Sequence, residues 1–232
     1  MYRFAVLGSD TRMDAVKTRL VQNGFEITNA QDCDAVILPI GFKDTNQFCN
    51  KTVFAPFDTD GGYNYAKTDY FKTLNAIPTA EGAIALAMQH SERTIFESDC
   101  AVIGYGCIGY ALSGRLSALG AKVTVYARSE SALAKARADG TCPRQIRLLG
   151  RQNHDIIFNT VPAMVLGNNQ LKYLKNAFII DLASKPGGVD FEAADALSIK
   201  YVHALALPSK CAPVTAGEIL ADTVISILRG VK

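Results

Sequence analysis

The stretch that most constrains the fold is 100-CAVIGYGCIGYALSGRLSALGAKVTVYARSESAL-133. An apolar run, Ala101-Val102-Ile103, leads into Gly104-Tyr105-Gly106-Cys107-Ile108-Gly109, and a helical segment and a second apolar run follow. G-x-G-x-x-G is a weak signal alone. Between a strand and a helix it is the turn that a dinucleotide pyrophosphate requires. Gly104 permits the tight turn, Gly106 lets the backbone approach the phosphates, and Gly109 lets helix and strand pack closely. The diphosphate then meets the unpaired N–H groups and positive end of the helix. The plain alternative is a glycine turn that binds nothing.

The alternation continues along the chain. Strands are expected at 100–104, 122–127, 154–160, 177–183 and 200–206, and helices at 108–119, 129–138, 168–174 and 191–197. Repeated β-α units imply an α/β fold with a Rossmann-like, doubly wound parallel sheet. A second, smaller α/β unit precedes it. Its strand Arg3–Leu7 turns at Gly8-Ser9-Asp10 into a weak helical stripe at Ala15, Val16 and Leu20. A brief strand at 25–28, a fully apolar one at 35–40 and a further one at Val53-Phe54 follow. Residues 57–73 show no period and read as irregular. The segment 78-PTAEGAIALAMQHS-91 reads as a helix with Thr79 as N-cap.

The expected organisation is therefore an N-terminal, substrate-side domain over 1–76, a linker helix over 77–97 and a dinucleotide-binding domain over 98–214. An amphipathic helix over 215–232 would return to the N-terminal domain.

Composition removes several function classes. Hydrophobic residues at 49% and charged residues at 20% mark a globular chain. The net charge of +2 and the lack of a basic run exclude a nucleic-acid groove. No segment approaches the roughly 20 apolar residues of a membrane helix. The N-terminal apolar run is too short for a secretory signal. The six cysteines form no C-x-x-C pair, which argues against zinc and thioredoxin-like chemistry and fits reduced thiols in the cytoplasm.

Ligands of open α/β sheets lie outside the carboxyl ends of the strands, so the residues there are the candidate site. An acid about 20 residues past the glycines would hold the ribose of NAD. Here that end reads Ala127-Arg128-Ser129. Arg128 can pair with a 2′-phosphate and Ser129 can donate to it, whereas an acid would repel it. NADP is the expected cofactor, with NAD the alternative, and a solvated arginine is the plain one. Asn159, Thr160, Val161 and Pro162 end the next strand. Asp181, Leu182 and Ala183, then Ser184 and Lys185, end the one after. His203 lies in an apolar strand and is read equally as an acid–base group and as a packed histidine.

Taken together, PTAEGAIALAMQHS, GYGCIG, ARS, NTVP, DLASKPGG and LPSKCAPVTAG resemble the dipicolinate synthase A chains, in the right order from about residue 77 to the end. The opening GSDTRM is similar to that family's G-G-D-x-R. The resemblance implies an N-terminal catalytic domain joined to a dinucleotide-binding domain. It implies oxidation of dihydrodipicolinate, a cyclic dicarboxylate, to the dipicolinate of bacterial endospores. NADP or NAD would take the hydride, and a flavoprotein-like second subunit would be the partner. Three departures stand out: a shorter N-terminal part, Ser209 in place of glycine and Lys185 in place of arginine. Two carboxylates call for cations or free N–H groups, and Arg12, Lys185 and Lys210, with Ser184 and Thr79, are the expected substrate-side residues. Asp181, Lys185, His203, Glu81 or a water are the candidate proton acceptors. A non-catalytic NADP-binding module for regulation or assembly is the reading from a different class. A D-2-hydroxyacid dehydrogenase is disfavoured because its Arg, Glu and His spacing is not visible. A homo-oligomer is compatible with the apolar C-terminal helix.

Overall fold

The structure is a computed structural model and describes residues 1–42, 45–48 and 50–230; Cys49, one of the six cysteines, lies outside them. The first elements are β1 (Arg3–Val6), α1 (Thr11–Gln22), β2 (Glu26–Ile27), β3 (Ala35–Ile37), β4 (Thr52–Ala55) and β5 (Tyr63–Asn64). Then come α2 (Asp69–His90), β6 (Asp99–Ile103), α3 (Cys107–Ala118), β7 (Lys122–Ala127), α4 (Glu130–Ala138) and β8 (Cys142–Gln145). The chain continues through β9 (Ile156–Asn159), α5 (Asn168–Leu171), β10 (Phe178–Asp181), α6 (Phe191–Ala196) and β11 (Tyr201–His203). It ends with α7 (Leu207–Cys211) and α8 (Pro213–Leu228). Two compact units result, Met1–Pro78 with Pro208–Lys232, and Thr79–Leu207.

The first unit holds a parallel sheet in the order β2-β1-β3-β4-β5. The order reverses between β1 and β3, so the sheet has its topological switch point there. Asp10 caps α1 by accepting from the Met13 N–H at 2.9 Å. Met13, Val16 and Leu20 recur at helical spacing and are buried against Ile219, Leu220, Val224 and the sheet residues Phe4 and Phe54. Each such side chain contributes about 1.5–3 kcal/mol on burial. Pro213 starts α8 at a position where a missing N–H costs nothing. Gly217 lets α8 approach α1, because a Cβ there would lie 2.3 Å from the Arg12 carbonyl. The Arg19 guanidinium then grips Asp222 through Nε and Nη2 at 2.8 and 3.0 Å.

The second unit holds a six-stranded parallel sheet in the order β11-β10-β9-β6-β7-β8. Counted from β6 this is the 3-2-1-4-5-6 order of a dinucleotide-binding fold, with its switch point between β6 and β9. Its central strands β6, β9 and β10 are buried on both faces, which accounts for their apolar runs.

The sequence reading and the structure differ in three places. The helix read from Pro78 begins at Asp69, with Thr68 Oγ1 accepting from the Phe71 N–H at 3.2 Å, and Pro78 lies inside it. Thr79 is therefore a buried mid-helix residue and caps nothing. Residues 57–73, read as a loop or irregular segment with some tethered structure, contain β5, a 3-10 turn at Tyr65–Lys67 and the start of α2. The edge strand β8 went unread because it is polar and contains Pro143, which only an edge tolerates.

Candidate functional site

The glycine turn stands at the carboxyl end of β6, at the switch point. Gly104 has φ +93°, and a Cβ on it would lie 2.5 Å from Thr160 Oγ1. Thr160 is anchored by donating to the Ile103 carbonyl at 2.8 Å. Gly109 is buried so closely that a Cβ would meet the Gly104 carbonyl at 2.2 Å. Gly106 differs: nothing among the described residues lies within 4 Å of its Cβ position, and as N-cap of α3 it supplies no side-chain cap. The space beside the start of α3 at Gly106 is thus open, and a side chain there would occupy it. That arrangement suits a pyrophosphate, so the residues present fit a bound dinucleotide. Cys107 is exposed and Ile108 half-buried on the first turn. Tyr105 donates to Asp139 at 2.6 Å, and burial together with that carboxylate raises the phenol's pKa.

Ala127 ends β7 and is buried, Arg128 is exposed, and Ser129 caps α4 by accepting from the Ala132 N–H at 3.2 Å. The Ser129 hydroxyl proton stays available to a phosphate. None of these three residues is an acid.

Asn159, Asp181 and His203 pair in register across β9, β10 and β11, forming one row at the carboxyl edge. Asp181 is fully buried and accepts from Asn159 Nδ2 at 2.8 Å, the Ala183 N–H at 3.1 Å and the Gly188 N–H at 3.0 Å. The same Asn159 amide also donates to the Val161 carbonyl at 3.0 Å and accepts from the Val161 N–H at 3.1 Å. These bonds fold 182–188 back over the row. Leu182 and Ala183 are buried, whereas Ser184 and Lys185 are exposed on the loop. Val161, beyond β9, is half-buried and Pro162 is exposed. His203 Nε2 lies 3.2 Å from the Ala183 carbonyl, which only accepts, so that nitrogen carries the proton. Its ring also tilts against Phe191 at 5.2 Å. The roles of Gly187 and Gly188 were missed. Their signal was the PGG of DLASKPGG, where a Cβ on Gly188 would lie 2.3 Å from Asn159 Nδ2.

In the first unit Arg12 is only 4% exposed, and burial lowers its pKa while Tyr65 and Asp10 act in the other direction. It donates from Nη1 to Ser209 Oγ at 3.3 Å, and its Nε and Nη2 have no partner among the described residues. Sequence places Arg12 at a helix start but not in the interior. Lys210 is exposed on α7. Glu81, exposed on α2, pairs with Arg115 Nε at 3.2 Å. A cavity of about 300 Å³ lined by His90, Arg93, Lys175 and Lys200 lies at the amino ends of β9–β11, away from the glycine turn; by the strand-end rule it is not the dinucleotide site. Among the described residues no acid, histidine and cysteine group is arranged to hold a metal, and no helix is long and apolar enough to cross a membrane.

Two parallel sheets, the second in the 3-2-1-4-5-6 order with a glycine turn at its switch point, define an α/β protein of Rossmann type. No family profile matches the chain. The dipicolinate synthase A chain of Bacillus subtilis (strain 168) is 41% identical over 167 residues, 71% of this chain and 56% of that protein. The match thus spans little more than half the relative's length. The crystal structure of the dipicolinate synthase A chain from Bacillus halodurans superposes with a TM-score of 0.86 at 29% identity, covering 98% of this chain and 97% of that one. A transhydrogenase from Sinorhizobium meliloti, at 14% identity and a TM-score of 0.72 over 99% of this chain and 93% of that one, shares the fold. In sequence and in fold the protein resembles the dipicolinate synthase A chains.

Proposed function

We propose that the protein is an NADP-preferring oxidoreductase that converts dihydrodipicolinate to dipicolinate. The observation that carries this reading is the open Gly106 turn at the switch point, followed at the next strand end by Arg128-Ser129 in place of an acid. Likeness to the dipicolinate synthase A chains supports the choice of substrate. When bound, the nicotinamide would accept a hydride as the substrate ring becomes aromatic.

The protein's own residues supply position and charge. Backbone N–H groups of Gly106 to Gly109 would hold the pyrophosphate, and Arg128 with Ser129 the 2′-phosphate. The Asn159–Asp181 pair holds the loop that carries Ala183, Ser184 and Lys185 at the carboxyl edge. Arg12 would take a substrate carboxylate, and Lys185 and Lys210 are the further cations for the second. Asp181 is committed to three donors, so His203 and Lys185 are the candidate proton acceptors that mutagenesis should address first. The relative is named as one component of a synthase, so a flavoprotein-like second subunit belongs to this proposal, as does a cytoplasmic place of action during endospore formation.

The test is purified protein, alone and with its partner, supplied with dihydrodipicolinate and NADP. Appearance of NADPH absorbance with matching dipicolinate supports the proposal. No turnover in either arrangement overturns it.

A further inference from the structure

Arg12 carries a charge that the fold buries without pairing. The residue is 4% exposed, and its Nε and Nη2 find no acceptor among the described residues. Those two nitrogens form one edge of the planar group, the side-on fork that takes both oxygens of a carboxylate. The same unit shows that edge filled: Arg19 gives Nε and Nη2 to the two oxygens of Asp222 at 2.8 and 3.0 Å. In Arg12 the third nitrogen, Nη1, is already spent on Ser209, so the end-on fork is broken and the side-on fork remains.

The location points the same way. Arg12 lies in the first turn of α1, just past the carboxyl end of β1, where the order β2-β1-β3-β4-β5 reverses between β1 and β3. That is where open α/β sheets bind ligands. Tyr65, one of the two groups acting on Arg12, donates to the Leu38 carbonyl directly beyond β3 at 3.0 Å. Asp10 also acts on Arg12, but its carboxylate serves the Met13 N–H at 2.9 Å. It would oppose a dianionic phosphate more than a singly charged carboxylate.

We propose that Arg12, oriented by Ser209, receives one planar carboxylate of the ligand side-on through Nε and Nη2. Ser209 is a positioning residue for that contact. The choice of a pyridine dicarboxylate as probe rests on the function proposed above; the receptor itself does not.

The test measures binding of pyridine-2,6-dicarboxylate, pyridine-2-carboxylate and inorganic phosphate by calorimetry to the full chain. The wild type should bind the carboxylates and not be competed by phosphate. Arg12→Lys keeps the charge without the fork and should weaken carboxylate binding about tenfold or more, with NADPH affinity unchanged. Ser209→Ala should weaken it less, through a looser guanidinium. Arg12→Met removes an unpaired buried charge and should hold or raise the melting temperature while abolishing carboxylate binding. Equal binding by wild type and Arg12→Lys, no carboxylate binding by wild type, or phosphate bound in preference would overturn the proposal, as would a melting temperature that collapses in Arg12→Met with binding retained in Arg12→Lys. Carboxylate binding that needs Arg12, without NADP reduction, would remove the oxidoreductase and leave the receptor. Turnover indifferent to Arg12→Lys would do the reverse.

Discussion

Asn159 and Asp181 face each other in register at the ends of β9 and β10, and the Asn159 amide donates to the Asp181 carboxylate at 2.8 Å with both side chains sealed from solvent. The carboxylate also takes the N–H groups of Ala183 and Gly188, so one buried charge fixes the loop between them. Asp181→Asn presents an amide to three donors and leaves at least one unsatisfied. It should cost about 1–3 kcal/mol in urea unfolding. Gly188→Ala should cost a similar amount by a different route, since its Cβ would lie 2.6 Å from the Val161 carbonyl and 2.9 Å from that of Ala163. Wild-type stability in either variant would show that the clamp does not hold the loop.

The second and third glycines of the turn should separate binding from folding. Gly106→Ala places its Cβ in open space, so the fold should be untouched while the dinucleotide is excluded. Gly109→Ala drives a Cβ to 2.2 Å from the Gly104 carbonyl and should lower stability by about 1–3 kcal/mol. Thermal melts with and without NADPH check both. Gly106→Ala should melt like wild type but lose the ligand-induced rise, and an unchanged rise would remove the pyrophosphate from this turn.

How far sequence reached follows from what each residue must satisfy locally. β6, β9 and β10 were legible because strands buried on both faces must be apolar throughout. β8 was not, because an edge strand needs neither apolar continuity nor an N–H at Pro143. Thr79, after Pro78, looked like a helix N-cap, yet α2 runs through both residues. The true start was signalled by Thr68 followed by the acidic Asp69. Within the site, residue types at strand ends were legible and their commitments were not. Nothing local shows that Asp181 is consumed by backbone donors contributed by a loop seven residues on. Nor does a helix-start position show that Arg12 is interior, because α8, which packs on it, arrives from the other end of the chain.

Arg128→Asp should test the cofactor preference. A charge-assisted phosphate contact is worth about 1.5–3 kcal/mol, so NADPH should weaken about tenfold to a hundredfold and NADH much less. Because Arg128 is exposed beyond β7, the fold should be indifferent to the change. Fluorescence titrations with both cofactors decide it: equal losses would place the 2′-phosphate elsewhere.

His154 gives a pH dependence that is independent of any ligand. It is buried, its Nε2 lies 2.9 Å from the Tyr126 hydroxyl, and its Nδ1 has no partner among the described residues. Burial lowers its pKa from the ordinary 6.5, against the weaker pull of Asp99 and Asp155. Below 6.5 the unfolded chain therefore binds a proton that the folded chain refuses, so stability falls as pH drops from that value toward the lowered folded pKa. Above it both states are neutral at this site and the contribution is fully present. His154→Gln should flatten the slope of unfolding free energy between about pH 6.5 and pH 5, before carboxylates dominate. An identical slope in wild type and variant would assign the acid sensitivity to other groups.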